Sequence, residues 1–179
     1  MTENEGLVAI RSCGSKSLVF DVEDVRRLRC DHRIVGALIG TLPRIPLQNT
    51  FFGLPLVLMP EEVTLALTKN FATINGTWTY PGTERDKIRC QIFEYLWSKE
   101  LYITNGSKFG GDYLAYPGDP MRFHSHYIIG VRDRDETLMP LDIIGMGRLA
   151  TNVKKTYVLA APSDSEEGVE TFSIRWAGF

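Results

Sequence analysis

A four-residue turn between two short apolar runs is the sequence feature that most restricts how this chain can fold. The runs Tyr113–Tyr116 and Tyr127–Val131 are rich in aromatic and β-branched residues, which is typical of strands. Between them lies Pro-Gly-Asp-Pro at residues 117–120, and these residue types favour a turn. The sequence therefore predicts two strands joined by a connection that begins with a rigid turn.

Polar residues at the ends of these two strands are candidates for a functional site. Tyr116 is the last residue before the turn, so its hydroxyl is expected at the end of the first strand. The second strand is predicted to start with His124 and His126 on one face, so Tyr116 and His124 could flank one cleft. The pattern alone fits a hairpin-like connection with incidental polar residues equally well. Metal binding by the two histidines lacks a third ligand nearby.

The first third of the chain has the signals of a small α/β domain. Leu18–Phe20 is typical of a short strand, and apolar residues follow at three-to-four spacing from Val22 to Leu38. This spacing predicts an amphipathic helix, which Pro43 and Pro46 would end.

A second helix and a domain boundary follow. Residues 51–59 are apolar without a regular period, and Pro60 with two glutamates behind it predicts a helix running to about Lys69. Residues 72–83 mix turn formers with aromatic residues and show no period. The chain is thus predicted to contain an N-terminal α/β domain, a linker and a C-terminal domain: residues 1–75, 76–84 and 85–179.

The C-terminal domain is predicted to mix helices with strands. Thr83 and Asp86 resemble a capping box that opens a helix. Pro140 to about Ala150 is ambiguous, because two glycines weaken a helix that proline at the first turn favours. The segments typical of strands are Leu101–Thr104, Tyr113–Tyr116, Tyr127–Val131 and Tyr157–Ala160. Together these elements indicate an α/β domain.

Residues 145–150, Gly-Met-Gly-Arg-Leu-Ala, fit the dinucleotide-binding fingerprint. That fingerprint needs a full helix after the glycines and an acidic residue at the end of the next strand. Here the next predicted strand begins within a few residues, so we reject a dinucleotide site.

Composition excludes several classes of protein. The 179 residues carry a formal net charge of -2, so there is no basic surplus of the kind that marks nucleic-acid binding, and a nucleic-acid role must rest on local residues. The three cysteines, Cys13, Cys30 and Cys90, fit neither a disulfide framework nor a zinc spacing. Neither a signal peptide nor a membrane span is evident, which predicts an intracellular protein.

Two blocks of the C-terminal domain resemble one known family. GSKFGGDYLAYPGDPMRFHSHYIIGV (residues 106–131) and GRLATNVKKTYVLA (147–160) are similar to the catalytic domain of the tRNA-intron splicing endonucleases. The likeness is specifically to the eukaryotic subunit that cuts the 3′ splice site. It implies a small α/β N-terminal domain followed by a restriction-endonuclease-like catalytic domain, in which helices flank a mixed sheet.

The resemblance also implies a catalytic triad and its chemistry. By their places in the matching blocks, the triad is Tyr116, His124 and Lys155. Family members cleave RNA by attack of a 2′-hydroxyl on the adjacent phosphate, without metal or cofactor. Tyr116 would then be the base, His124 the acid and Lys155 the stabilising charge. His126 is the alternative to His124, and Lys154 should point away from Lys155.

Partners are implied in the same way. The substrate would be intron-containing pre-tRNA, and the protein would reside in the nucleus. A small noncatalytic subunit would be the direct dimer partner, and a second catalytic/structural subunit pair would complete a heterotetramer. The predicted C-terminal strand Thr171–Trp176 has an apolar face that would help to build the dimer.

Three further residues are expected to contact RNA. Arg122 follows the turn and would touch backbone phosphate, while Arg175 and Trp176 would form part of a clamp on a flipped intron base. Packing in a core or interface is the competing interpretation for Trp176. Two other functions stay open: a noncatalytic scaffold subunit of the same assembly, and a metal-dependent nuclease.

Overall fold

Each half of the chain forms its own five-stranded mixed sheet. The computed structural model describes residues 6–41 and 52–177, and the chain divides into two compact units, Met1–Gly82 and Thr83–Phe179. Helices flank both sheets, which confirms the predicted α/β class with a small N-terminal α/β domain. Among the residues described, no helix is long and apolar enough to cross a membrane.

The N-terminal sheet has the strand order β3-β4-β2-β1-β5. Its edge strand β5 runs parallel to β1, and the other pairs are antiparallel. The strands are β1 Val8–Cys13, β2 Lys16–Val19, β3 Ala37–Gly40, β4 Gly53–Leu58 and β5 Ala72–Asn75. The helices are α1 Val22–Arg26, continued by a π-helical turn Arg27–Asp31, and α2 Pro60–Thr68.

The prediction of a long helix from Val22 to Leu38 is wrong for the second half of that range. It starts where expected, because the Asp21 carboxylate accepts hydrogen bonds from the amides of Glu23 (2.9 Å) and Asp24 (3.0 Å). Helical structure ends at Asp31, and Arg33 and Gly36 then adopt left-handed backbone angles (φ 56° and 57°). The predicted break at Pro43 and Pro46 lies outside the described residues.

Only β2 of this unit was predicted, so β1, β3, β4 and β5 were missed. Residues 51–59 were predicted to be irregular, yet β4 lies there and pairs with both β2 and β3. A strand between two neighbours needs no simple alternation, which is why the pattern failed. Strand β5 falls inside the supposedly aperiodic residues 72–83 and is only 4 residues long, too short to show a period.

A buried carboxylate ties the segment before β3 to the start of α2. Glu62 Oε1 accepts from the amides of Val35 (3.2 Å) and Gly36 (2.9 Å), and its Oε2 accepts from Met59 (2.8 Å). Glu62 is fully buried, and this burial raises its pKa to about 7 although the three N–H donors oppose the rise. The stability of this unit should therefore depend on whether the Glu62 carboxyl is protonated.

We expect stability to fall as the pH rises from about 4.5 to about 7. In this window the folded state holds a proton on Glu62 that the unfolded state has released, so the loss amounts to at most about 3 kcal/mol. Urea unfolding of the whole chain at several pH values measures it. Glu62→Gln should cost about 1–3 kcal/mol at low pH and flatten the dependence, whereas Glu100→Gln, an exposed control, should change neither. A slope unaltered by Glu62→Gln would contradict the assignment.

The C-terminal sheet has the strand order β10-β9-β8-β7-β6. Only the central β8–β9 pair is parallel within the described sheet, and the chain crosses between them through α4. The strands are β6 Tyr102–Asn105, β7 Tyr113–Tyr116, β8 Tyr127–Val131, β9 Thr156–Pro162 and β10 Val169–Ile174. The helices are α3 Glu84–Ser98 and α4 Pro140–Asn152.

Most predictions for this unit are confirmed. Thr83 and Asp86 form the expected reciprocal cap of α3, with distances of 2.9 and 3.2 Å. The ambiguous segment after Pro140 is helical, so Gly145 and Gly147 lie inside α4 instead of at a strand-to-helix turn. This geometry agrees with the rejection of a dinucleotide site.

Helices α3 and α4 cover opposite faces of this sheet. The Phe93 ring of α3 meets the Tyr113 ring edge-on, with centroids 5.6 Å apart. Leu114, the next residue of β7, points the other way and belongs to a buried cluster that includes Ala150 of α4. The other buried members of this cluster are Ile128, Tyr157 and Leu159. We call the surface of the sheet on this side the α4 face.

Candidate active site

Strand register places Tyr116 and Lys155 on the α4 face. Leu114 is paired with Ile128, and Ile128 with Tyr157, all three within the buried cluster. Tyr116 lies two residues after Leu114 and Lys155 two residues before Tyr157, so both continue this face to the same end of the sheet. With one strand between them, their Cα atoms are about 10 Å apart, from a strand spacing of about 4.8 Å.

Tyr116 is half-buried at the end of β7. Its ring packs against the edge of the buried cluster, and its hydroxyl accepts a hydrogen bond from the Thr104 hydroxyl on β6 (3.3 Å). The phenol oxygen is thus held at the end of β7, where the sequence placed it, and its role in binding or catalysis stays a prediction.

Lys155 is positioned by the end of α4. The amide of Lys154 donates to Thr151 O (3.1 Å) and that of Lys155 to Ala150 O (2.9 Å), which is the Schellman pattern of a helix C-terminus. Lys154 takes the left-handed position of this motif (φ 53°). The chain then enters β9 with Lys155 directly before its first residue.

Two contacts hold the Lys155 ammonium. It donates to the Ser125 carbonyl (2.9 Å) and lies 5.7 Å from the centre of the Phe109 ring. Phe109 itself packs against the buried cluster. The sequence had no signal for either contact, because both partners are distant from Lys155 along the chain.

His124 lies in the segment that leads from the turn into β8, and its side chain is exposed. Asp119 organises this segment: its carboxylate accepts from the Met121 amide (2.7 Å) and its carbonyl from the Phe123 amide (3.0 Å). The predicted start of the strand at His124 is therefore wrong, because β8 begins at Tyr127.

His126 occupies the register position between Tyr116 and Lys155. Its amide donates to Ala115 O (3.0 Å) and its carbonyl accepts from the Thr156 amide (3.0 Å). Its side chain is exposed, as is that of His124, while Ser125 between them is buried. The register thus keeps both histidines near this sheet end, and the choice of His124 as the acid stays a prediction.

The three residues predicted to contact RNA occupy different environments. Arg122 is exposed in the turn after Asp119. The C-terminal strand ends at Ile174, two residues earlier than predicted, so Arg175 and Trp176 follow it. Trp176 remains 47% exposed but lies against α4, where a Cβ added to Gly147 would be 3.5 Å from its ring. Packing on α4 therefore accounts for part of the Trp176 surface.

Arg175 lines an open cavity of about 300 Å³ at this end of the sheet. The other lining residues are His126, Tyr127, Lys154, Lys155 and Thr156. Over residues 6–41 and 52–177, no group of three or more His, Cys, Asp or Glu is arranged to hold a metal ion.

Two family models match the chain, one in each unit. Residues 8–76 match the "TSEN34-like, N-terminal domain", and residues 87–172 match the "tRNA intron endonuclease, catalytic C-terminal domain". The chain belongs to the tRNA intron endonuclease family. The catalytic-domain match includes Tyr116, His124 and Lys155, and it ends before Arg175 and Trp176.

Similar proteins come from eukaryotes and archaea. The "tRNA-splicing endonuclease subunit Sen34" of Homo sapiens is 39% identical over 100 residues, which cover 56% of this chain and 32% of that protein. The "Probable tRNA-splicing endonuclease subunit sen34" of Schizosaccharomyces pombe is 27% identical over 270 residues, covering 92% of this chain and 95% of that protein. The "tRNA-splicing endonuclease" of Saccharolobus solfataricus is 29% identical over 156 residues, covering 72% and 86%. The match to this chain thus covers about a third of the length of the human protein.

Proposed function

We propose that this chain is the catalytic subunit of a tRNA-splicing endonuclease and that it cleaves pre-tRNA at the 3′ splice site. The observation that carries the proposal is that Tyr116 and Lys155 lie on the same face of the sheet, with exposed histidines beside them. The domain that contains them matches the catalytic family model. The choice of splice site rests on the Sen34-type relatives and on the N-terminal match.

The chemistry is a transfer within the RNA strand. Tyr116 acts in its deprotonated form and accepts the proton of the 2′-hydroxyl, whose oxygen attacks the adjacent phosphorus. The bond from phosphorus to the 5′-oxygen breaks, and His124, which starts protonated, gives that oxygen a proton. The products are a 2′,3′-cyclic phosphate and a 5′-hydroxyl, and exchange with water returns both side chains to their starting states. No metal ion takes part in this scheme.

Lys155 supplies positive charge where negative charge accumulates on the phosphate oxygens. An ammonium has three N–H donors, and one is used on Ser125 O, so two remain for the phosphate. Histidine suits the acid role because it exchanges protons near neutral pH. The site therefore offers a base, an acid and a stabilising charge.

The substrate and assembly belong to the same proposal. The substrate is intron-containing pre-tRNA in the nucleus, and the chain pairs with a small noncatalytic subunit inside a heterotetramer. Phe172 on the edge strand β10 is 60% exposed, which gives this edge an apolar contact surface.

The competing function is a noncatalytic subunit of the same complex. Analysis of the RNA ends decides between them. The assembled endonuclease containing this chain, given pre-tRNA and excess chelator, should make 2′,3′-cyclic phosphate ends at the 3′ splice site. Tyr116→Phe should abolish that cut and leave the 5′ cut in place. A 3′ cut that survives Tyr116→Phe would favour the scaffold, and a cut lost in chelator would favour a metal-dependent nuclease.

A further inference from the structure

The cavity beside Lys155 contains two cations that the proposed chemistry does not use. Lys154 and Arg175 both line it, and both are exposed. None of its lining residues is acidic. Since the whole chain has a net charge of -2, this is a local concentration of positive charge and not a property of the surface at large.

Neither cation is neutralised by a described residue of the chain. Among the residues that the structure describes, Lys154 and Arg175 form no ion pair. Several other cations of the same unit are paired, for example Arg89 with Asp112 (2.5 Å), Lys99 with Glu167 (2.8 Å) and Arg85 with Asp133 (3.2 Å). Unpaired cations at one cavity favour an anionic ligand.

The remaining lining residues suit a phosphate. Imidazole and hydroxyl groups, here those of His126 and Thr156, can donate hydrogen bonds. Arginine binds phosphate oxygens in a two-pronged geometry, and lysine binds them as a point charge. The cavity also reaches Lys155, so an anion held there would lie next to the phosphate that Lys155 contacts in the proposed function.

We propose that this cavity is a subsite for the RNA phosphodiester that neighbours the scissile one, with Lys154 and Arg175 as its cations. The inference rests on the proposed function, because Lys155 is the link between the two positions. A phosphate contact of this kind fixes the strand without reading its sequence. The subsite would therefore contribute to the affinity for the strand next to the cut.

The backbone at Lys154 allows a test that separates binding from folding. Lys154 has a φ of 53° at the end of α4, a position that glycine adopts more readily. Lys154→Gly removes the ammonium and should leave the melting temperature equal or higher. Lys154→Arg keeps the charge. Lys87→Ala removes an exposed lysine of α3 that is paired with Glu84 and serves as the matched control.

The measurement is the affinity of the assembled endonuclease for a pre-tRNA with one 2′-deoxy nucleotide at the cut, as a function of salt. Loss of one phosphate contact should reduce the slope of log K against log salt by about 0.7, which is about a fivefold loss of affinity at 0.1 M salt. We expect this change for Lys154→Gly and for Arg175→Gln. Lys154→Arg and Lys87→Ala should behave as the unaltered protein does.

The outcomes also distinguish the subsite from the proposed function. An unaltered slope for Lys154→Gly and Arg175→Gln would overturn the subsite, even when the RNA ends show cyclic phosphate. If the salt slope falls but the RNA is cut only in the presence of metal, the phosphate subsite is supported and the proposed chemistry is overturned. An equal loss for Lys87→Ala would assign the effect to overall charge and so reject the subsite.

Discussion

Replacement of His124 by alanine should lower the single-turnover rate of the 3′ cut by about 10²- to 10⁴-fold, the usual contribution of a general acid. The loss follows from the leaving 5′-oxygen, which departs poorly without a proton. Saturating enzyme should be used, so that the rate reports the chemical step and not binding.

His126→Ala is the matched control for this experiment. His126 is also exposed, lies two residues away and occupies the register position between Tyr116 and Lys155. We expect it to lose less than about tenfold. The opposite result, with the large loss in His126→Ala alone, would make His126 the acid.

A modified substrate tests the role of the acid directly. Sulfur in place of the leaving 5′-oxygen needs no proton to depart. Such an RNA should restore most of the rate lost in His124→Ala and should restore little in Tyr116→Phe, where the missing group is the base. Equal restoration in both variants would refute the division of roles between them.

Lys155→Ala should lower the same rate by about 10²- to 10³-fold, as removal of one well-placed donor does. The ammonium is anchored by Ser125 O (2.9 Å) and by the Phe109 ring, so it is already ordered before RNA binds. Single-turnover cleavage at saturating enzyme measures the effect.

Lys154→Ala provides the control for a cation that contributes to binding without contacting the reacting phosphate. Lys154 is the preceding residue and carries the same charge, but its side chain is exposed, whereas Lys155 is held by Ser125 O and the Phe109 ring. It should weaken binding and leave the saturated rate within about threefold. Comparable losses in the two variants would mean that Lys155 acts through the general potential and not at the reacting phosphate. Lys155→Arg should recover only part of the rate, because guanidinium has a different shape.

Capping and turn residues predicted the ends of those elements that neighbouring residues in the sequence determine. The reciprocal cap at Thr83 identified the start of α3, and the turn after Tyr116 fixed the end of β7. The helix predicted from Val22 failed at Arg33, since a left-handed arginine gives no warning in the sequence. Strand β4 was missed because its order in the sheet, between β2 and β3, depends on chain segments far from it.

The residue types of the site could be predicted, but their arrangement could not. Tyr116 and the histidines belong to one continuous block, so a turn with two strands already placed them near each other. Lys155 comes from another segment, and it reaches the same end only through the parallel pairing of β8 and β9. Only the family resemblance linked Lys155 to the other residues. No pattern indicated that Phe109 and Ser125 O would hold its ammonium.

The crossover between β8 and β9 has a practical consequence for labelling. Residues 132–139 join the end of β8 to the start of α4, at the far end of β8 from Tyr127, and most of their side chains are exposed. Both flanking strands are fixed by their ladder, so a longer connection here need not shift either one. This loop is a suitable position for a fluorophore or an affinity handle, because it lies at the end of β8 opposite to Tyr116 and Lys155.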